Sequence, residues 1–448
     1  MKLRPYPHQF SGAQHLATKN VAGLFDDPRV GKNLSTIMAL DDISARKILF
    51  ITTVSGRAVF RQAVTDNQRI PRKVRILSPK DRIEDGVSII SWAAVNNAAM
   101  RAKLLAELWD VIVVDEAHYA KSFTAKRTRA LYGQLQYDGR HIDQNKALVA
   151  RAQRVWLLTG TPLPHDLSDA YPMLRGLAPE LLLAQAGMPD VTTIRAFDDR
   201  YTIQKLIKPT PHFSKWIKVG GKNEAELKQR MQRGGFFLRR TQAQIGILPP
   251  RFSLRPLICD DFDPVIEEGM DRDEIIEILE NGRQYKNLSA MLHQHGIFKA
   301  HAVVEAVNEE FDCGLDKIVL GYWHHDVGEI LEAGLHKHGV VGINGQTPPP
   351  KREGIVRQFS TPGGPKVFLQ QLAAASESID LSASSLLWFV ESVFQPATMK
   401  QAAERVTNLN NRRAPVVETT FIEGSIDELI QGRLMTLWAS INRVIERT

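Results

Sequence analysis

Two short segments of the sequence carry side chains that could bind and react with phosphate. The first is Gly31-Lys32, which follows an apolar run at residues 21–25 and precedes a helical pattern at 34–40. In this order of strand, loop and helix, backbone N–H groups, the helix dipole and a lysine can hold phosphate oxygens. The general phosphate-loop pattern has Gly at position 26 and Ser or Thr at 33, where this chain has Asp26 and Asn33. An ordinary strand–turn–helix therefore stays open as an alternative.

The second segment is Asp115-Glu116, which directly follows the apolar β-formers at residues 111–114. A carboxylate at the end of a buried strand can hold Mg²⁺ through water, and a neighbouring glutamate can orient and deprotonate an attacking water. After a Gly-Lys loop, this pair favours nucleotide hydrolysis, and a surface turn with two acids is the alternative. His118 is predicted to couple this site to other parts of the protein, or to cap the following helix.

Both segments need a framework of parallel strands, and apolar strand patterns alternate with helical ones along the chain. Hydroxyl side chains end several predicted strands, where open parallel sheets bind ligands. Those at Thr53, Ser55 and Ser91 are predicted to contact nucleic-acid phosphates, with helix capping as the alternative. Thr159 and Thr161 are predicted to relay the state of the Asp115-Glu116 loop, although a plain turn would also explain this segment.

Length and composition limit the class of protein. A chain of 448 residues suggests two to three domains, and 43% hydrophobic with 24% charged residues is typical of a soluble globular protein. The net charge of +7 favours a polyanionic partner. Two cysteines without paired spacing argue against a disulfide framework or a zinc site and fit the reducing cytoplasm. No apolar run is long enough to cross a membrane, and we see no signal peptide.

The order of these motifs resembles that of superfamily-two helicases, most closely the Swi/Snf-type DNA translocases in the compact form that many bacteriophages carry. Residues 26–33 are similar to motif I of that family, in which the first glycine is characteristically Asp. Residues 115–118 are similar to motif II, and residues 158–162 to motif III. Gln9 occupies the adenine-sensing position, for which its amide can both donate and accept, although a solvated turn glutamine is the alternative.

The resemblance extends through the second half of the chain. Residues 236–250 look like the family's Leu-Arg-Arg…Leu-Pro-Pro connector, where the first lobe should end, and a linker with a solvated charged face is the alternative. Residues 371–383 are similar to motif V and residues 401–408 to motif VI. Spacing by three and four predicts one helix face for Gln401, Glu404, Arg405 and Asn408, with a solvated face as the alternative.

The resemblance implies an α/β fold of two tandem RecA-like parallel-sheet lobes, residues 1–250 and 251–448, with a nucleotide cleft between them and helical insertions. It implies ATP and Mg²⁺ as cofactors, with Asn33 and Asp115 at the metal. The implied catalytic residues are Lys32, Asp115, Glu116 and Arg405. Those implied to bind nucleotide are Gln9, Arg29, Gly31, Lys32, Asn33, Asp380 and Arg405. Nucleic acid would contact Thr53, Ser55, Ser91, Gln346, Arg352, Gln371 and Ser376, while His118, Thr159, Thr161 and Gln401 would couple the sites.

The implied activity is an ATP-dependent translocase or helicase on duplex or forked DNA in replication, repair or recombination. We expect a cytoplasmic monomer, in the bacterial host if phage-encoded, with a replication or repair protein as a possible partner and RNA as the less favoured substrate. Two residues depart from the family pattern: Asn33 replaces a Mg²⁺-ligating hydroxyl, and Asn408 replaces an arginine that stabilises charge on the transferred phosphoryl group. The alternative is therefore a nucleotide-binding, DNA-binding protein with slow or lost hydrolysis.

Overall fold

A computed structural model describes most of the chain, in two compact units, Met1–Ile245 and Gly246–Thr448. The described residues are 2–54, 56–136, 142–143, 145–160, 162–163, 166–185, 187–210, 213–259, 262, 286–372, 379–391, 396–407, 413–432 and 435. The sequence predicts lobes of 1–250 and 251–448. The two units meet five residues earlier, inside the segment where we expect the first lobe to end.

The first unit alternates strands and helices. Its strands are β1 (Val21–Leu24), β2 (Lys47–Thr52), β3 (Val74–Ile76), β4 (Gly86–Ser91), β5 (Trp109–Asp115), β6 (Gln134–Leu135), β7 (Ile142–Asp143), β8 (Ala152–Leu158), β9 (Thr202–Thr210), β10 (Phe213–Gly221) and β11 (Phe237–Leu238). Its helices are α1 (Pro7–Ala17), α2 (Lys32–Asp42), α3 (Gly56–Asn67), α4 (Trp92–Asn96), α5 (Ala98–Ala106), α6 (Lys126–Tyr132), α7 (Ala170–Leu177), α8 (Ile194–Tyr201) and α9 (Glu224–Arg233).

The second unit has the same rhythm. Its strands are β12 (Arg251–Leu257), β13 (Ile318–Tyr322), β14 (Val340–Ile343), β15 (Val367–Gln371), β16 (Leu386–Phe389) and β17 (Val416–Ile422). Its helices are α10 (Lys286–Asp312), α11 (His325–Leu335), α12 (Pro349–Ser360) and α13 (Pro396–Ala403), and residues 426–432 are also helical.

Each unit is built on one parallel sheet. The first sheet has the strand order β11-β1-β8-β5-β2-β4-β3, and the second has the order β12-β17-β16-β13-β15-β14. Apolar side chains cover both faces of each sheet, as parallel sheets require. The predicted fold of two parallel-sheet α/β lobes is therefore confirmed.

The order of the first sheet sets the position of its loops. Strand β8 pairs with β1 on one side and with β5 on the other, in parallel register. Because parallel strands end at the same sheet edge, the loops that follow β1, β8 and β5 lie side by side there. These loops contain Lys32, Thr159 and Asp115.

Several strands escaped the sequence analysis. Strand β11 lies in the segment that we interpret as a connector, and it adds to the first sheet beside β1. Strand β12 contains Pro256, which is tolerated because β12 is an edge strand. The antiparallel hairpin of β9 and β10 was also missed. Among the described residues, no helix is both long and apolar enough to cross a membrane.

Candidate active site

The loop between β1 and α2 has a backbone suited to binding an anion. Arg29 has φ 66° and Gly31 has φ 94°, both left-handed, and Gly31 caps the N-terminus of α2. Left-handed residues within a turn direct successive N–H groups to one side, which makes an anion-binding concavity. Another residue would be strained at this φ, and its Cβ would displace the end of the Gln9 side chain, whose Nε2 lies 2.0 Å from that position.

Lys32 and Gln9 both contact the backbone of this loop. Lys32 Nζ donates to the carbonyl oxygens of Asp26 at 2.7 Å and Asp27 at 3.2 Å. Gln9 is buried, and its amide nitrogen lies 3.5 Å from the carbonyl oxygen of Gly31. The structure thus groups the predicted nucleotide-binding residues Gln9, Gly31 and Lys32 at one loop, with Arg29 exposed and Asn33 half-buried beside them.

Two arginines after β11 hold the loop in place, a role that the sequence analysis missed. Arg240 pairs with the fully buried carboxylate of Asp26, both through its guanidinium and through its backbone N–H at 2.9 Å. Arg239 Nη2 donates to Asp27 Oδ1 at 2.7 Å, and Arg239 Nη1 donates to the Phe25 carbonyl oxygen at 2.8 Å. The interpretation of this segment as a linker with a solvated charged face is therefore wrong for these arginines, because they are buried against the loop.

The Asp115-Glu116 segment stands at the end of β5. Thr52 Oγ1 donates to Asp115 Oδ2 at 2.7 Å, and Trp92 Nε1 donates to the Asp115 carbonyl oxygen at 3.1 Å. Glu116 follows in a left-handed conformation with φ 49°. A non-glycine residue in that region is strained, and such strain is concentrated at functional sites.

His118 connects this segment to the loop after β8. Its Nδ1 lies 3.2 Å from Glu116 Oε2 and 3.0 Å from Thr159 Oγ1. The Thr159 N–H in turn lies 3.4 Å from the carbonyl oxygen of Leu24, at the end of β1. A chain of contacts therefore runs from Glu116 through His118 to Thr159, three residues to which the sequence assigns catalysis and coupling.

The two carboxyl groups differ in their electrostatic environment. Burial raises the pKa of the Asp115 carboxyl, and the neighbouring Glu116 charge raises it further, against the Thr52 hydrogen bond and the Lys32 charge. For Glu116, burial also acts to raise the pKa, but the hydrogen bond and charge of His118, with the Lys32 charge, bring it below its usual value. The Lys32 charge thus acts to lower the pKa of both carboxyls.

This donor set fits a hard divalent cation and a phosphate chain. Mg²⁺ prefers carboxylate oxygens and retained waters, and Asp115 offers a carboxylate that Thr52 orients. The burial that raises the pKa of Asp115 would be offset by a bound cation, which favours the ionised form. Lys32 and the loop N–H groups offer donors for phosphate oxygens.

The hydroxyl residues predicted to contact nucleic acid have structural roles in the first unit. Thr53 Oγ1 accepts from the Gly56 N–H at 3.0 Å, and Ser91 Oγ accepts from the Ala94 N–H at 3.3 Å. Both hydroxyls thus cap the start of the next helix, which was the alternative, and their contact with phosphates stays a prediction. Ser55, Thr161 and Ser376 lie outside the described residues.

In the second unit, the Gln371 side chain forms hydrogen bonds within the protein. This buried side chain accepts from the Gly345 N–H at 2.8 Å and donates to the Trp323 carbonyl oxygen at 3.0 Å. It therefore joins the loops that follow β13, β14 and β15. Arg352 is also buried and donates to the Thr347 carbonyl oxygen at 2.8 Å, whereas Gln346 is exposed.

The predicted helix face around Arg405 requires a correction. Helix α13 ends at Ala403, so Gln401 lies in the helix while Glu404 and Arg405 follow in a turn. The Arg405 N–H bonds to the Ala402 carbonyl at 3.1 Å, a three-residue spacing that tightens the chain and ends the α-helix. Asn408 lies outside the described residues.

Motifs V and VI nevertheless meet within the second unit. The Arg405 carbonyl oxygen accepts from the Leu381 N–H at 2.9 Å, next to Asp380. Arg405 is largely buried, and Asp380 Oδ1 accepts from the Ser382 N–H at 3.0 Å. The structure therefore brings the predicted nucleotide-binding residues Asp380 and Arg405 to the same part of this unit.

A buried carboxylate at the end of β16 also escaped the sequence analysis. Glu391 accepts from the backbone N–H groups of Trp323 at 2.6 Å and His324 at 2.9 Å, and it contacts His324 Nδ1 at 2.5 Å. The His324 ring stacks on His293, whose Nε2 lies 2.7 Å from Asp326 Oδ2. Glu391 therefore satisfies backbone donors at the start of α11.

The chain is similar in sequence to several known proteins. Residues 52–254 match the family model described as SNF2-related domain. The mouse protein "DNA annealing helicase and endonuclease ZRANB3" is 24% identical over 354 residues, which cover 75% of this chain and 29% of that protein. A Caenorhabditis elegans homologue of "SWI/SNF-related matrix-associated actin-dependent regulator of chromatin subfamily A-like protein 1" is 25% identical over 335 residues, 72% of this chain and 44% of that protein.

The chain therefore spans less than half the length of these two relatives. Among solved structures, the "Sulfolobus solfataricus SWI2/SNF2 ATPase core in complex with dsDNA" is similar over 99% of this chain and 93% of that chain, with 19% identity and a TM-score of 0.45. The bacteriophage-like form stays a prediction. Through its SNF2-related domain at residues 52–254 and through these relatives, the chain is similar to the Swi/Snf-type proteins of helicase superfamily two.

Proposed function

We propose that the chain is a DNA-dependent ATPase that moves along duplex or forked DNA, as a translocase or helicase in replication, repair or recombination. The observation that carries this proposal is the grouping of Lys32, Asp115 and Glu116 at one edge of the first sheet. A relative described as a DNA annealing helicase adds support. The chemistry of these side chains is that of phosphoryl transfer to water.

In this proposal, each side chain of the first unit has a distinct role. The loop N–H groups and Lys32 bind the phosphate oxygens of ATP and offset charge on the transferred group. Asp115, oriented by Thr52, would hold Mg²⁺ together with Asn33, and the cation would offset negative charge on the phosphates. Glu116 positions the attacking water and takes its proton, for which its lowered pKa keeps it ionised near neutrality.

The contacts of His118 suggest how the reaction reaches the rest of the protein. When Glu116 takes up a proton, its attraction to His118 weakens, and His118 Nδ1 is shared with Thr159. A change at the carboxylate therefore alters the loop after β8. We assign His118 and Thr159 as positioning residues that act through Glu116.

The decisive experiment measures phosphate release from ATP and Mg²⁺ by the full chain, without nucleic acid and with single-stranded, duplex or forked DNA. We expect duplex or forked DNA to stimulate release. Glu116→Gln should lower kcat by about 10²–10⁴-fold while ATP binding persists. Lys32→Ala should remove both release and tight ATP binding, whereas Lys80→Ala, at an exposed lysine, should change neither.

A second candidate function is a nucleotide-dependent DNA-binding protein with slow or lost hydrolysis. The residue that favours it is Asn33, which stands where the family has a Mg²⁺-ligating hydroxyl. If Asn33→Thr and Asn408→Arg are together needed before DNA stimulates any release, this second function holds and the first is rejected. RNA in place of DNA is the less favoured substrate, and the same assay with duplex RNA tests it.

A further inference from the structure

The hairpin of β9 and β10 in the first unit contains none of the residues to which we assign ATP hydrolysis. In sequence, residues 202–222 contain five lysines and no acidic residue. Such a segment repels other cations and attracts a polyanion, and nucleic-acid phosphates are the polyanion most consistent with the proposed function. The charge of this hairpin is therefore complementary to DNA.

One face of the hairpin exposes an aromatic ring. Trp216 pairs directly with Leu206 across the two strands, so both side chains lie on the same face of the hairpin. Trp216 is 62% exposed and Leu206 43% exposed. A tryptophan is costly to leave in water, and large exposed aromatic groups mark sites of recognition.

Trp216 lines a groove of about 700 Å³ between the hairpin and α8. The volume is in the range of ordinary ligand pockets. Polar groups line the same groove: Gln204 from β9, Lys222 just after β10, and Arg195, Asp198 and Asp199 from α8. These groups offer donors to phosphate and both donors and acceptors to the edge of a nucleobase.

The base of the hairpin is fixed to the rest of the unit. Lys218 Nζ donates to Asp198 Oδ1 at 2.9 Å and to Ser168 Oγ at 2.6 Å. Just beyond the hairpin, the Glu226 carboxylate pairs with Arg200 and accepts from the Tyr201 hydroxyl at 2.7 Å. The groove is therefore formed in advance, which lowers the entropic cost of binding.

We propose that this groove binds an unpaired base of a DNA strand, stacked on Trp216, with the strand's phosphates held by Lys222 and Arg195, which line the same groove. Bases within a duplex already stack on each other, so an exposed aromatic ring selects a base that is not paired. This inference rests on the proposed function and deepens it, because it names DNA with a single-stranded arm as the preferred substrate.

The test compares binding of the full chain to a forked DNA and to a blunt duplex with the same number of base pairs, by fluorescence anisotropy at one salt concentration. We expect tighter binding to the fork. Trp216→Ala should weaken fork binding roughly tenfold and remove the preference, given the usual contribution of stacking on an aromatic side chain. Trp216→Phe, which keeps an aromatic face, should retain most of the preference.

A matched control and a second assay keep the outcomes distinct. Leu108 is another exposed apolar residue of the first unit, at 72% exposure, and Leu108→Ala should bind both DNAs as the parent does. If Trp216→Ala binds the fork as tightly as the parent, the inference is overturned. That result is the one expected if this face of the hairpin binds a protein partner instead of DNA. In that case, duplex-stimulated ATP hydrolysis by the parent would leave the proposed function intact. If no DNA binds or stimulates hydrolysis, the proposed function itself fails.

Discussion

The two parallel sheets use the carboxyl ends of their strands differently. In the first sheet, Asp115 and Glu116 emerge beside Lys32, and buried groups such as Thr52 orient them. In the second sheet, the polar side chains Gln371 and Glu391 occupy comparable strand ends but bind backbone groups of neighbouring loops. Under the proposed function, the charged groups at the first edge bind a ligand, whereas the polar groups at the second edge hold its own loops.

The two edges also differ in what neutralises their buried carboxylates. The Asp26 and Asp27 carboxylates of the first sheet are neutralised by Arg240 and Arg239, so the loop backbone is fixed while Lys32 stays half-buried. A buried carboxylate that satisfies backbone donors, such as Glu391, needs no such partner guanidinium. Substitutions at the two edges should therefore have different costs.

The largest effect is expected for Arg240→Met, which leaves the fully buried Asp26 carboxylate without its guanidinium. Removing one partner of a buried ion pair costs about 3–5 kcal/mol in the free energy of unfolding. Urea unfolding measures this loss. Adding Asp26→Asn should recover part of it, because the uncompensated charge is then gone.

The matched control for this substitution is Arg357→Met. Arg357 pairs with Glu353 at 3.0 Å on the surface, with both side chains more than three-quarters exposed. Its loss should stay within about 0.5 kcal/mol. Equal losses for the two arginine variants would contradict a bracing role for Arg240.

A smaller effect is expected at the second edge. Glu391→Gln keeps one oxygen that can accept from both the Trp323 and the His324 N–H groups, but it removes the negative charge and the second oxygen, which contacts His324 Nδ1. The free energy of unfolding should fall by about 1–2 kcal/mol. Calorimetry measures this loss, with Glu353→Gln, at an exposed glutamate, as the control. A larger loss for Glu391→Gln than for Arg240→Met would contradict the contrast between the two edges.

The smallest effect concerns pH and His15 on α1. Burial and the nearby Lys19 charge lower the pKa of His15 from 6.5 to about 4. The folded state therefore binds fewer protons than the unfolded state between these values, so stability is complete above pH 6.5 and falls as pH drops towards 4. We expect a loss of about 1 kcal/mol after allowing for the partial exposure of the ring.

Urea unfolding at pH 7 and at pH 4.5 tests this expectation. Between the two pH values, His15→Gln should lose less stability than the parent. The matched control is His336→Gln, at an exposed position, which should lose as much stability as the parent. An unchanged pH dependence for His15→Gln would show that this histidine does not contribute.

The sequence predicted the fold well because buried parallel strands have strong apolar patterns. Strand β5, for example, was expected to end at Asp115, and it does. Short strands such as β11 have too few residues for such a pattern and form through pairing with β1. The turn at Arg405 was missed because spacing by three and four fits a helix until a three-residue hydrogen bond ends it.

The site was less predictable than the fold. Gly31-Lys32 and Asp115-Glu116 could be singled out because the chemistry predicted for them depends on local order along the chain, and their roles stay predictions. The partners of Asp26 and Asp27 could not be found in this way, since Arg239 and Arg240 are more than 200 residues away in sequence. The aspartate at position 26, in place of glycine, was the available signal that a cation would be needed there.

The pairing of Arg240 with Asp26 also has a consequence for synthesis of the chain. The two residues are separated by 214 positions, so an emerging polypeptide makes the loop long before it makes the guanidinium that neutralises it. Contacts of such long separation form late because they must first overcome the entropy of closing a large loop. In a ribosome-bound chain that stops before residue 240, the Asp26 carboxylate therefore lacks its guanidinium partner. Nucleotide should begin to protect the loop between β1 and α2 from proteolysis only after Arg240 has been added.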